Sequence, residues 1–169
     1  MELLGWLVLV IVSALVHEGG HILAARAVGV APIRVSLSVL GVIPVLRVHL
    51  GGLGTRPRAQ QAAVICSGAG AQVVLAVVAL AVARLLPGPV GAAALRLAQI
   101  SLTLAVVNLL PLDPLDGYWL TAAVWGPTAA LTLRWVSPVL RIALYVVCGL
   151  GAGAMLIRAL GADAFVGHP

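Results

Sequence analysis

The sequence predicts an all-α membrane protein, a polytopic helical bundle of about four spans with a small β-hairpin or re-entrant element after the first helix. Hydrophobic residues make up 62% of the 169-residue chain and charged residues only 9%. The mean hydropathy is +1.16, and a soluble domain needs a charged surface that this composition cannot supply. A spanning helix needs about 20 apolar residues, so there is room for about four. We expect one membrane domain over residues 1–169.

The basic residues of the chain are all Arg, ten in number, and the net charge is +5. They stand at the edges of apolar segments, without a basic run or interleaved aromatic residues. This pattern favours the positive-inside rule over nucleic-acid binding, so we expect no nucleic-acid partner. Five of them lie between Arg26 and Arg58, after the first span. We therefore expect that connection to face the cytoplasm and the N-terminus to lie outside.

The first apolar segment runs from about Leu3 to Val30, and it contains several ionisable side chains. Such residues are costly inside a bilayer, which makes them candidates for function. The next stretch, Ala31–Gly54, contains two prolines, which interrupt a spanning helix. Its part Arg34–Leu40 alternates loosely between polar and apolar residues, as a strand does. It predicts the hairpin or re-entrant element at the membrane face.

Four further apolar segments complete the chain. The second span is expected from about Ala59 to Leu86 and the third from about Ala92 to Leu110. The segment Tyr118–Trp135 is broken by Gly126-Pro127, which predicts a short or bent helix. The last span is expected from about Pro138 to Leu160.

The first span carries the motif HExxH, from His17 through Glu18 to His21. Residues four apart share one face of a helix, so the two imidazoles can bind one Zn²⁺ while Glu18 lies beside a metal-bound water as general base. A buried polar cluster that pins helices together is the alternative. It is disfavoured because unpaired polar groups in lipid are costly.

A catalytic zinc usually has three protein ligands and an open position for water. Glu2 and Asp163 stand near the chain ends, which leaves Asp113 and Asp116 within the stretch NLLPLDPLDG at 108–117. On a regular helix either carboxylate could reach the metal. Pro114 between them disfavours such a helix, so the two carboxylates are expected to point differently.

Together, the two motifs resemble those of the site-2 protease family of intramembrane metalloproteases. That family pairs a membrane HExxH with a later NxxPxxxLDG-type motif. The first motif is matched at 17–21, and the second at Asn108, Pro111, Leu115, Asp116 and Gly117. The resemblance covers about Leu3 to Leu120, and the sequence shows neither a PDZ-like insert nor a CBS-like extension.

The resemblance implies a zinc-dependent endopeptidase that cleaves transmembrane or near-membrane segments of other membrane proteins. It implies one Zn²⁺ per chain, held by His17, His21 and Asp116. It also implies that Glu18 is the general base and that Asn108 positions the substrate or stabilises the oxyanion. We expect an integral protein of a prokaryotic cell membrane, in contact with the lipid bilayer, whose active site lies nearer the cytoplasmic face.

Three residues keep more than one interpretation. The patch Ser67–Gln72 is similar to the family's GPxxN segment, but Ala69 replaces Pro and Gln72 replaces Asn. Gln72 is therefore either a helix-packing residue or a member of the site. Asp113 is either a partner of a ligand histidine or an interfacial acid, and His49 is either functional or structural.

Two other functional classes compete with the protease. One is a non-catalytic membrane protein that binds metal or a partner, and Glu18 argues against it because zinc binding alone does not need that carboxylate. The other is a metal transporter, which should show polar residues along a continuous path rather than at one depth. The substrate and the oligomeric state are not predicted.

Overall fold

The computed structural model of the chain describes residues 2–40, 43–132, 138–140 and 142–143. The first helix is followed by a hairpin, a short 3₁₀ turn and three more helices. In chain order the elements are α1 (Glu2–Ala27), β1 (Pro32–Leu40), β2 (Ile43–Leu50), the 3₁₀ turn (Leu53–Thr55), α2 (Arg58–Leu85), α3 (Pro89–Asn108) and α4 (Asp116–Trp125).

Three of these helices are long and apolar enough to cross a membrane: Leu4–Ala27 within α1, Arg58–Leu85 and Pro89–Asn108. At a rise of 1.5 Å per residue the shortest is about 30 Å long, the thickness of a bilayer's hydrocarbon core. Their outward faces carry large apolar side chains, among them Leu23, Val74 and Val106. Such continuous apolar surface suits lipid, as the composition predicted.

The helix ends follow the glycines and prolines of the sequence. Gly29 has a φ of +70° after α1, and Gly88 has a φ of +79° between α2 and α3. Pro89 stands at the start of α3, where its missing N–H costs nothing. Gly126, with a φ of +94°, ends α4 at Trp125. The predicted short or bent helix over Tyr118–Trp135 is therefore confirmed as helix interrupted at Gly126, since helical backbone resumes at residues 127–132.

Helix α2 is the central element, because it contacts α1, α3 and α4. Against α3 it packs through a buried cluster of Ala76, Ala79 and Ala98. Against α1 it approaches closely at Gly20, where an added Cβ would lie 2.5 Å from the Ser67 carbonyl oxygen. Small residues at such crossings let helix backbones come together in membranes. The main chain of α2 therefore comes within reach of the side chains of α1.

The hairpin predicted after the first helix is confirmed. Strands β1 and β2 pair in antiparallel register, with Val35 opposite Val48 and Leu37 opposite Leu46. Strand β2 contacts α1 and thereby places the sheet beside the motif on that helix. The predicted last span, from about Pro138 to Leu160, lies almost entirely outside the described residues.

Candidate metal centre

His17 and His21 occupy one buried face of α1, as their spacing predicts. Both residues are among the few buried polar residues that the structure describes, with 6% and 8% of their residue surface exposed. The two Nε2 atoms lie 3.1 Å apart, and the rings meet at an interplanar angle of 89°. Both imidazoles therefore direct the same nitrogen at one point between them.

Asp116 meets the histidines from the first turn of α4. Its Oδ2 lies 3.1 Å from His17 Nε2 and 3.0 Å from His21 Nε2. Gly117 makes this approach possible, because a Cβ there would collide with the carbonyl oxygens of Leu109 and Leu110. Of the two candidate acids it is therefore Asp116, at the start of a tightly packed helix, that joins the imidazoles.

Each histidine also makes a hydrogen bond to α2 through its second ring nitrogen. His17 Nδ1 lies 3.2 Å from the side-chain oxygen of Gln72, and His21 Nδ1 lies 2.8 Å from the carbonyl oxygen of Val64. The spacing of eight residues between Val64 and Gln72 places both on one face of α2. The ligand face of α1 is thus opposed by a matching face of α2.

These bonds define which nitrogen of each ring carries hydrogen. A carbonyl oxygen only accepts, so the Nδ1 atoms of His17 and His21 must donate. In the neutral imidazole the Nε2 atom then bears a lone pair. Two such lone pairs and a carboxylate oxygen of Asp116 lie within 3.1 Å of one another. Three acceptors at this distance repel one another unless a metal ion, or a proton on one of the imidazoles, lies among them.

The three atoms fit a zinc ion in size as well as in chemistry. Tetrahedral zinc with bonds of about 2.0–2.2 Å has ligand atoms about 3.3–3.6 Å apart. The observed separations of 3.0 and 3.1 Å need only a small outward adjustment. His17, His21 and Asp116 can therefore hold a metal ion. Histidine nitrogens with one carboxylate form a ligand set that zinc accepts.

Gly68 of α2 leaves the room that the two rings occupy. A Cβ added there would collide with Nε2 of His21 and would lie 2.7 Å from Cε1 of His17. Gly68 stands midway between Val64 and Gln72, on the same face of α2. Any side chain at this position would therefore displace the metal ligands.

Glu18 lies beside the ligands and faces a cavity. One of its carboxylate oxygens, Oε2, accepts a hydrogen bond of 3.0 Å from the main-chain N–H of Val48 in β2. The cavity measures about 690 Å³ and is lined by Glu18, His21 and Asp116 together with residues of β2, α2 and α4. The site is therefore open on the side of Glu18 and enclosed on the side of α2.

The other candidate residues take different places. Asp113 lines the cavity but does not belong to the metal-binding group. His49 also lines it and shares a hydrogen bond of 2.9 Å with the hydroxyl of Ser36 in β1. Asn108 is the last residue of α3, is half-buried, and lies outside the lining of this cavity. Its role in substrate positioning stays a prediction.

Sequence reasoning left Gln72 undecided and missed Gly68, Val64 and Val48. In the structure Gln72 forms a hydrogen bond with His17 and another with Ser13 of α1. It therefore contacts the candidate site and also links α2 to α1. The sequence did contain a signal for Gly68, because this residue lies in the patch that is similar to the family's GPxxN segment. Val64 and Val48 act through main-chain groups, which leave no mark on residue type.

A comparison of the chain with protein-family models finds no match, and a comparison with curated proteins finds none either. The resemblance to site-2 proteases therefore stands on the two motifs alone. Independently of that resemblance, the structure brings His17, His21 and Asp116 together as a group that could hold a metal ion.

Proposed function

We propose that the chain is a zinc-dependent endopeptidase that cleaves transmembrane or near-membrane segments of other membrane proteins. The observation that carries this proposal is the convergence of three lone-pair atoms from His17, His21 and Asp116. Glu18 stands next to them on the wall of an open cavity. One Glu18 oxygen is held by the Val48 N–H, and the carboxylate borders the cavity beside the three candidate ligands, where a general base is needed.

Zinc bound at this centre would supply a Lewis acid and lower the pKa of a bound water to about 7. The chain contributes the remaining chemistry. The Glu18 carboxylate accepts the proton of the attacking water and passes it to the leaving amide nitrogen, as general base and then general acid. The Val48 N–H holds one Glu18 oxygen and so orients the other. The walls of α1 and α2 exclude water from the buried side of the ligands.

The depth of the centre supports a substrate within the membrane. His21 lies six residues before the end of α1, which is about 9 Å along the helix axis. The ligands therefore sit inside the hydrocarbon region but close to one face. By the distribution of Arg residues, that face is the cytoplasmic one.

The edge of β2 that faces away from β1 pairs with no other strand among the described residues, and it offers a place for an unwound substrate. A helical segment keeps its carbonyls in its own hydrogen bonds, so it must unwind before cleavage. The Val48 N–H reaches Glu18, so it points away from β1, and alternate residues of a strand share an edge. Addition of the substrate as a third strand on this edge would place its backbone beside Glu18 and the metal.

The test uses purified chain in detergent and a single-span model substrate. Glu18→Gln is expected to retain zinc at the wild-type stoichiometry, because the three ligands are unchanged, and to lose cleavage, because the amide cannot accept the proton. Zinc is measured by elemental analysis and cleavage by gel on the same preparations. Cleavage by Glu18→Gln at close to the wild-type rate would overturn the mechanism.

The same preparations separate the rival functions. A non-catalytic metal-binding protein would hold zinc and cleave nothing, whichever membrane substrate is supplied. A transporter would move zinc across the membrane of a proteoliposome, and this movement would not depend on Glu18. The proposed protease predicts cleavage that depends on both zinc and Glu18, without transport.

A further inference from the structure

We propose that Gln72 is a positioning residue of the metal centre. Anchored by Ser13, its side-chain amide fixes the tautomer and orientation of His17 and so presents His17 Nε2 to the metal. This inference rests on the metal-binding part of the proposed function and does not require proteolysis.

The observation is a chain of hydrogen bonds that runs from α1 to α2 and back to α1. The Gln72 oxygen Oε1 lies 3.2 Å from His17 Nδ1. Its nitrogen Nε2 lies 3.2 Å from the Ser13 hydroxyl and 3.5 Å from the Ser13 carbonyl oxygen. Gln72 is 1% exposed and Ser13 is fully buried, so the protein itself supplies their partners.

Ser13 determines which way the Gln72 amide faces. Two oxygen atoms of Ser13, the hydroxyl at 3.2 Å and the carbonyl at 3.5 Å, lie beside the Gln72 nitrogen, and because the carbonyl can only accept they favour the orientation with the amide NH₂ toward Ser13. The amide oxygen is then left to face His17, and it requires a hydrogen on Nδ1. With the amide reversed, its NH₂ group would face Nδ1 and favour the tautomer whose hydrogen sits on Nε2. That tautomer cannot bind a metal through Nε2.

The two histidines differ in this respect. His21 donates to the carbonyl oxygen of Val64, a main-chain group that a substitution does not remove. His17 depends on a side chain that must itself be held in one orientation. In metal sites the partner that accepts the ligand's other N–H typically contributes about 10–100-fold to metal affinity. Loss of the Gln72 amide would therefore weaken this centre through one hydrogen bond, without touching a ligand.

The first test removes the acceptor at nearly constant volume. Gln72→Met is expected to raise the zinc dissociation constant about 10–100-fold, measured in detergent by competition with a chromophoric chelator. Gln60→Met is the matched control, because Gln60 lies on the same helix and its buried Oε1 has no hydrogen-bond partner among the described residues. It is expected to bind zinc as the wild type does.

A rescue experiment distinguishes a positioning role of Gln72 from a packing role. Gln72→Glu keeps an oxygen that accepts the His17 N–H but introduces a charge that is a poor packing group. It is expected to bind zinc more tightly than Gln72→Met, whereas a packing role predicts the reverse. Ser13→Ala removes the hydroxyl that anchors the amide and is expected to weaken zinc binding roughly threefold. Ser101→Ala removes an equally buried hydroxyl from α3 and is expected to have no effect.

Wild-type zinc affinity in a folded Gln72→Met chain would overturn the inference, and so would a Gln72→Glu chain that binds more weakly than Gln72→Met. If Gln72→Met does not fold, Gln72→Ala replaces it, and wild-type zinc affinity in that variant overturns the inference. A wild-type chain that binds zinc but cleaves no membrane substrate would remove the proteolysis and leave this inference standing. A wild-type chain that binds no zinc would overturn both the proposed function and this inference.

Discussion

The metal centre has two unlike sides, the helical side made by α1, α2 and α4 and the hairpin side made by β2. On the helical side, buried side chains are held by hydrogen bonds that cross between helices, as at His17 and His21. On the hairpin side, one main-chain N–H, that of Val48, reaches Glu18. If the proposed function holds, metal binding and proton transfer are supported by separate regions. Substitutions on the two sides should therefore separate zinc binding from cleavage.

The helical side is built on an opposed pair of helix faces. Ser13, His17 and His21 recur every four residues on α1, and Val64, Gly68 and Gln72 recur every four residues on α2. Because Gly20 and Gly68 lack side chains, the two faces come close enough for these groups to bond directly. A small error in the crossing of α1 and α2 would misplace both imidazoles at once. The helical side should therefore be less tolerant of substitution than the hairpin side.

The largest effect is expected at the third ligand. Asp116→Asn removes the charge that balances the metal, so zinc occupancy should fall and cleavage should be abolished. Asp113→Asn is the matched control, because Asp113 lines the same cavity outside the metal-binding group. Asp113→Asn should keep most of the zinc occupancy and most of the cleavage. Metal content and cleavage are measured on the same preparations. Loss of zinc in Asp113→Asn but not in Asp116→Asn would reverse the assignment.

A second large effect is expected where α2 passes the ligands. Gly68→Ala places a methyl group against His21 Nε2 and His17 Cε1, so the rings must shift. Misplacement of about 1 Å can lower catalysis about 100-fold, and we expect a loss of that size together with weaker zinc binding.

Gly70→Ala is its control on the same helix, since an added Cβ there meets nothing within 4 Å. It should leave zinc binding and cleavage unchanged. Equal zinc affinity in the Gly68 and Gly70 variants would show that the crossing of α1 and α2 does not constrain the metal site.

Much of the fold and of the candidate site could be predicted from residue types. The spacing of His17 and His21 predicted their shared face, and the alternation at Arg34–Leu40 predicted the hairpin. Pro114 indicated that Asp113 and Asp116 would diverge, and the structure brings only Asp116 to the histidines. In each case a side chain or a proline imposes a local constraint that the sequence displays.

The remaining parts of the site depend on how distant segments meet. Nearly every residue type has a main-chain carbonyl and a main-chain N–H. No sequence pattern therefore marks the carbonyl of Val64 or the N–H of Val48 as part of the site. The role of Gln72 depends on which α1 residue it faces, and that is decided by the crossing at Gly20 and Gly68. A sequence shows that these residues are small or polar, but only the packed helices show which groups they place in contact.

The smallest effect is expected on the hairpin side, at Val48. Val48→Pro removes the N–H that donates to Glu18. Proline is tolerated where a strand's N–H points away from its partner strand, and this N–H does so, since it reaches Glu18 rather than β1. The zinc ligands are untouched, so zinc affinity should equal that of the wild type. Loss of one hydrogen bond to a charged group should lower cleavage about tenfold.

Leu46→Pro shows whether this loss belongs to Glu18 or to the edge of the strand. Leu46 lies two residues before Val48, so its N–H points to the same free edge of β2. If Val48 acts by orienting the general base, Leu46→Pro should lower cleavage less than Val48→Pro does, because it removes only an N–H that an added substrate strand could use and leaves the bond to Glu18 in place. An equal loss in both variants would instead assign the effect to a substrate that adds to this edge as a strand. Unchanged or faster cleavage by Val48→Pro, with zinc intact, would contradict any positioning of Glu18 by the hairpin.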